Sequence, residues 1–92
     1  MLFRSYQWLL KVPKGHVIRL EFLYFDLEYH PQCSNDFVEV RYSLYLPSHK
    51  FCGQTLPSTI ESSGRSMWIS FESNKQIIGG GFEAKFRAVK GM

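Results

Sequence analysis

The stretch Val17-Ile18-Arg19-Leu20-Glu21-Phe22-Leu23 decides how this chain is read. Ile18, Leu20 and Phe22 alternate with Val17, Arg19, Glu21 and Leu23, and the segment is rich in β-branched and aromatic residues. Side chains two apart share a face only when the backbone is extended, so the pattern predicts a strand with one apolar face. The same period of two recurs on both sides. Upstream, Trp8, Leu10 and Val12 alternate with Gln7, Leu9 and Lys11, and Pro13-Lys14-Gly15 supplies a turn. Downstream, Val38, Val40 and Tyr42 alternate with Phe37, Glu39 and Arg41, and Met67, Ile69 and Phe71 with Trp68, Ser70 and Glu72. Phe82, Ala84, Phe86 and Ala88 alternate with Glu83, Lys85 and Arg87 near the end. Turn-rich pieces separate these segments, and none of them carries a helical stripe. Extended segments with one apolar face each predict an all-β, antiparallel β-sandwich or barrel.

Composition bounds the rest. A chain of 92 residues has room for one small domain, taken here as 1–92. Hydrophobic residues at 45% against 21% charged exclude a disordered tail. No apolar run approaches the roughly 18 residues of a membrane-spanning helix, so no transmembrane segment is expected. The net charge is +3, but the 11 Lys and Arg stand singly, which argues against nucleic acid. The lone lysines Lys14, Lys75 and Lys90 are a weak basis for an anionic-glycan site. Gly79-Gly80-Gly81 precedes a strand, whereas a phosphate cradle needs a following helix. Met1 to Leu10 lacks the features of a secretory signal, so either a signal lies upstream in a longer precursor or the chain is a fragment.

Cys33 and Cys52 are nineteen positions apart. They form either a disulfide in an oxidising compartment or two buried thiols in a reducing one. His16, His30 and His49 lie at no metal-ligand spacing. No serine sits in a Gly-x-Ser-x-Gly elbow, and a pairing of Cys52 with His49 competes with the disulfide. Glu28 and Asp36 can mimic a glycosidase pair, yet so small a sandwich offers little cleft for a sugar. No enzyme is expected.

In order along the chain stand Phe25-Asp26-Leu27-Glu28, Cys33, Asp36-Phe37-Val38-Glu39-Val40, Phe51-Cys52-Gly53 and Leu56-Pro57. Ser62-Ser63-Gly64, Met67 to Phe71, Ser73-Asn74 and Gly80-Gly81-Phe82 follow, with Trp8, Val12-Pro13-Lys14-Gly15 and Ile18-Arg19-Leu20 upstream as an early hairpin. This succession resembles a CUB domain. The resemblance implies a jelly-roll-like sandwich of the CUB/spermadhesin type, a Cys33–Cys52 bridge and a secreted, non-catalytic protein-binding module. The family's first cysteine and opening strands have no counterpart here, Tyr6 standing where its second cysteine falls. The expected consequence is an exposed sheet edge open to self-association.

Many CUB domains hold calcium at one end of the sandwich. The resemblance maps its ligands to Glu28, Asp36, Asn74 and the backbone carbonyl of Gln76, with Asn in place of the family's second Asp. Calcium takes six to eight oxygens, and an amide or backbone carbonyl serves as one. Glu28 at the end of one strand and Asp36 at the start of another can point into one loop region. Held together by the ion, they would accept a charge-assisted bond from a partner's Lys or Arg. The competing reading leaves both carboxylates solvated or capping turns, in a calcium-independent assembly module of a larger secreted protease or receptor. Asp26 either joins the site or bonds neighbouring backbone N–H groups. Tyr24, Phe25, Tyr29, Tyr42 and Tyr45 either line a binding face or pack in core and loops, the latter being expected of most.

Overall fold

The alternating segments of the sequence all become strands, and two short ones join them. The computed structural model describes residues 4–43, 45–73 and 80–91. Its strands are β1 (Arg4–Lys11), β2 (His16–Asp26), β3 (Phe37–Arg41), β4 (His49–Phe51), β5 (Ile60–Glu61), β6 (Ser66–Ser73) and β7 (Gly81–Lys90). No helix occurs among the described residues. One sheet has the order β1-β6-β3-β4 and the other β5-β2-β7. Every pairing is antiparallel. The all-β sandwich is thus established.

The apolar faces meet between the sheets. Ile18, Leu20 and Phe22 of β2 pack with Val38 and Val40 of β3 and Met67, Ile69 and Phe71 of β6. Ile18, Val38 and Val40 are completely buried, and each such side chain contributes roughly 1.5–3 kcal/mol of transfer free energy. The outward charges of β2 and β7 form the exposed pairs Arg19–Glu61 at 2.8 Å and Lys85–Glu21 at 3.8 Å. Exposed pairs of this kind contribute little.

Two features differ from the expectation. The segments on either side of Pro13-Lys14-Gly15 are not partners in a hairpin. β1 pairs with β6, while β2 pairs with β7 and β5, so the turn carries the chain from one sheet to the other. Gly15, at φ +83°, makes that reversal, and His16 N–H donates to the Pro13 carbonyl at 3.1 Å. The second feature is a β-bulge. Phe22 faces Ala84 and Tyr24 faces Glu83, which leaves Leu23 as the extra residue of β2. Inward positions are even-numbered before it (Ile18, Leu20, Phe22) and odd-numbered after it (Phe25, Leu27). The bulge therefore sends Phe25 into the core and turns Tyr24 and Asp26 outward.

Candidate functional site

The candidate site begins where β2 ends. Leu27, almost fully buried, anchors the chain just past the strand, and its N–H donates to the Gly53 carbonyl at 2.9 Å. Cys33 and Cys52 are bonded, with Cα atoms 5.5 Å apart, so this loop is tied to the segment after β4. Cys33 N–H donates to the His30 carbonyl at 2.9 Å, and its φ of 50° marks a tight reversal. Tyr29 lies over Gly53, where an added Cβ would stand 3.4 Å from the ring. The 27–36 loop is thus fastened by a covalent bond, a backbone hydrogen bond and a packed ring.

Glu28 lies two residues beyond β2 and Asp36 immediately before β3. Asn35 Nδ2 donates to Glu28 Oε2 at 3.2 Å, which brings the Glu28 carboxylate to the residue next to Asp36. Asp36 is 0% exposed, and neither of its carboxylate oxygens has a hydrogen-bond partner among the described residues. Ser73 Oγ is buried and unpartnered in the same way. The β3–β6 ladder pairs Phe37 with Glu72, so its continuation sets Asp36 across from Ser73. Three buried oxygens without partners among the described residues therefore gather at the end of β6. Asn74 and Gln76 themselves lie outside the described residues. Among the described residues no cluster of three or more His, Cys, Asp or Glu side chains forms a metal site. Ser73 is the residue that sequence reasoning missed. Its signal was the alternation from Met67, which puts a hydroxyl at an inward position.

Asp26 forms a separate knot. Its Oδ1 accepts from Gln54 Nε2 at 3.0 Å, and its Oδ2 from Gly80 N–H at 3.0 Å and Tyr24 OH at 3.3 Å. The backbone N–H it takes is 54 positions away rather than adjacent. A Cβ at Gly80 would meet the Tyr24 hydroxyl at 2.2 Å, so glycine there leaves room for the tyrosine. The Gln54 amide, then the Gly80 N–H, hold the Asp26 carboxyl below its usual range. Desolvation, followed by the Asp26 charge, raises the Tyr24 phenol. A carboxyl depressed on folding adds stability above its unfolded pKa of about 3.9 and loses it as pH falls through the folded value. Asp26→Asn is accordingly expected to melt below the wild type at pH 7, with the gap closing as pH falls through the depressed Asp26 value. Circular dichroism melts across pH 2–7 check this, and a gap constant over that range would refute the charge linkage.

The aromatic candidates divide. Phe25 is core and Tyr42 packs partly buried against it, whereas Tyr24, Tyr29 and Tyr45 are exposed. At the open side of the sandwich, β1 and β7 are the outermost strands of their sheets. Between them runs a cleft of about 480 Å³, lined by Trp8, Leu10, Leu20, Ile69, Phe82 and Phe86 among others. Trp8 meets Phe82 edge-on at 6.4 Å across this opening, and Phe86 remains 51% exposed.

Comparison with known proteins agrees with this architecture. The chain is 40% identical over 83 residues to cubilin of Canis lupus familiaris, an alignment covering 87% of the chain and 2% of cubilin. It is 45% identical over 78 residues to blastula protease 10 of Paracentrotus lividus, covering 84% of the chain and 13% of the protease. The solved CUB1-EGF-CUB2 region of human MASP-1/3 superposes with a TM-score of 0.80 at 30% identity, covering 95% of this chain and 36% of that one. The chain thus spans only a small part of the relatives it matches. The sequence profile described as CUB domain matches residues 4–86. Two antiparallel sheets, a Cys33–Cys52 bridge and a match over nearly the whole length lead to one assignment: the chain belongs to the CUB domain family.

Proposed function

We propose that this chain is an extracellular binding module that uses calcium at the Glu28–Asp36 end of the sandwich to present acidic groups to a Lys or Arg of a protein partner. CUB domains are non-catalytic modules, and the catalytic parts of proteases that carry them lie in other domains. Relatives such as cubilin and tolloid are secreted or extracellular proteins, and the disulfide suits that compartment.

The observation that carries the reading is Asp36, wholly buried and without a donor to either oxygen among the described residues. A carboxylate taken out of water costs several kcal/mol unless a cation or donors replace the lost hydration. A hard divalent ion suits the oxygens at this end, Asp36, Glu28 and, added by the fold, Ser73, together with the Asn74 amide and Gln76 carbonyl that the family resemblance implies. The ion would supply positive charge between two carboxylates that otherwise repel. Glu28, already oriented by Asn35, would then offer an outer oxygen to a cationic side chain. Binding of this class lies near 10⁻⁴–10⁻³ M. At tenfold excess over the dissociation constant it stabilises the fold by about 1.4 kcal/mol. Melting followed by circular dichroism in EGTA and in millimolar calcium tests the metal; an unchanged midpoint refutes it.

A second reading, calcium-independent assembly, rests on the open side. β1 with eight residues and β7 with ten are long outer strands whose backbone groups can pair with another chain. Half-exposed Trp8 and Phe86 flank the opening. The expected outcome is concentration-dependent dimerisation in sedimentation velocity, removed by Phe86→Lys. A strictly monomeric species at several hundred micromolar eliminates this reading.

A further inference from the structure

The outer face of the four-stranded sheet carries a feature that neither reading uses. Leu9, Trp68 and Arg41 lie in one row across β1, β6 and β3, and Lys11 lies across from Ser66 in the next row of β1 and β6. Their strand neighbours Leu10, Met67 and Val40 face the core, so these four side chains belong to the outward set. Two loops raise the walls of a groove here. Ser63 N–H donates to the Tyr42 carbonyl at 3.0 Å, which joins the 62–65 loop to the segment after β3. Arg65 is held at the rim, its Nε donating to the Val12 carbonyl at 3.1 Å. The groove measures about 430 Å³, and Arg41, Arg65, Trp68, Tyr45, Ser63 and Ser66 are among its lining residues.

Its chemistry is one-sided. Among the described residues no carboxylate lines the groove. Glu39 and Glu72 share the outer face, but the Glu39 carboxylate accepts a hydrogen bond from Ser48, and Glu72 stands toward the opposite end of β6. Among the described residues the salt bridges are Arg19–Glu61 and Lys85–Glu21, so Lys11, Arg41 and Arg65 keep their charges unneutralised by acids. β1 and β3 flank β6, so Lys11 and Arg41 stand two interstrand spacings apart across the sheet and one row apart along it, roughly 12 Å between Cα atoms. A polymer with an anionic group on successive sugar rings can engage Lys11, Arg41 and Arg65 together, while its hydroxyls meet Ser63 and Ser66 and a ring face lies on Trp68 or Tyr45. We infer that this groove binds a sulfated polysaccharide through its lining residues Arg41 and Arg65 and through Lys11, which stands outside the lining opposite Ser66, with Trp68 as its floor.

The test uses a fluorescent heparin-derived octasaccharide and the full chain in EGTA, so that calcium plays no part. Arg41→Gln and Lys11→Gln are each expected to weaken binding about 5–10-fold and to lower the salt slope by about one. Lys85→Gln and Lys90→Gln on β7 serve as controls and should leave affinity within twofold. In the wild type, the Trp68 indole N–H resonance should shift on titration, a readout that depends on no variant. Equal losses at the β7 controls would show diffuse cation binding and overturn the assignment. So would undiminished binding of the desulfated octasaccharide, tighter binding of a sulfotyrosine peptide, or no Trp68 shift at millimolar ligand.

Discussion

Loss of the Cys33–Cys52 bond is expected to lower the thermal midpoint of this domain by roughly 12–24 °C. A cross-link closing a loop of about 20 residues removes conformations from the unfolded chain worth about 3 kcal/mol. That is a large share of the roughly 5–15 kcal/mol by which small domains are folded. The sandwich has only modest means to absorb the loss, since β4 has three residues and β5 two. The effect should also reach the candidate site. Cys33 lies in the loop between Glu28 and Asp36, and Cys52 precedes Gly53, whose carbonyl holds Leu27. Melts of oxidised protein, of protein in excess phosphine and of the double variant Cys33→Ala, Cys52→Ala should show the two reduced-type samples falling together. A decrease below about 3 °C would mean that the loops hold themselves without the bond.

Asp36→Asn carries the second large effect, and its sign is unusual. Most substitutions of a fully buried residue destabilise. Here the native side chain is itself the costly group in the absence of metal, because its carboxylate is buried with no donor among the described residues. Removing the charge while keeping the shape is expected to raise stability in EGTA by about 1–3 kcal/mol. In millimolar calcium the order should reverse, since the wild type gains from the ion and the variant does not. Crossing melting curves in the two buffers are the signature. A variant less stable than the wild type in EGTA would show that Asp36 is held by donors and would remove the main support for a cation there.

Much of this was legible from residue types alone. Each of the long strands was marked by alternation, and the order of short motifs pointed to the family that the comparisons support. β4 and β5 were not visible, because two or three residues are too few to show a period. The site was half legible. Glu28 and Asp36 could be picked out by position, but their environments could not. Glu28 is engaged by Asn35, whereas Asp36 is sealed in with Ser73 across the ladder. For Asp26 the sequence left open the site or neighbouring backbone N–H groups, and its partners Gln54 and Gly80 come from distant segments instead.

The order of amino acids by itself determined which side chains of each regular extended segment share a face. Alternation is a local property of extended backbone, and it survives whatever the strand lies beside. The folded structure alone decided the neighbours: β1 beside β6 rather than β2, and a bulge at Leu23 that reverses inside and outside for the rest of β2. Backbone N–H and C=O groups are the same in every strand, so hydrogen bonding does not choose among partners. The choice falls to packing between apolar faces far apart in the chain, and that packing also buries Asp36 and gathers Lys11, Arg41 and Arg65 on one outer surface.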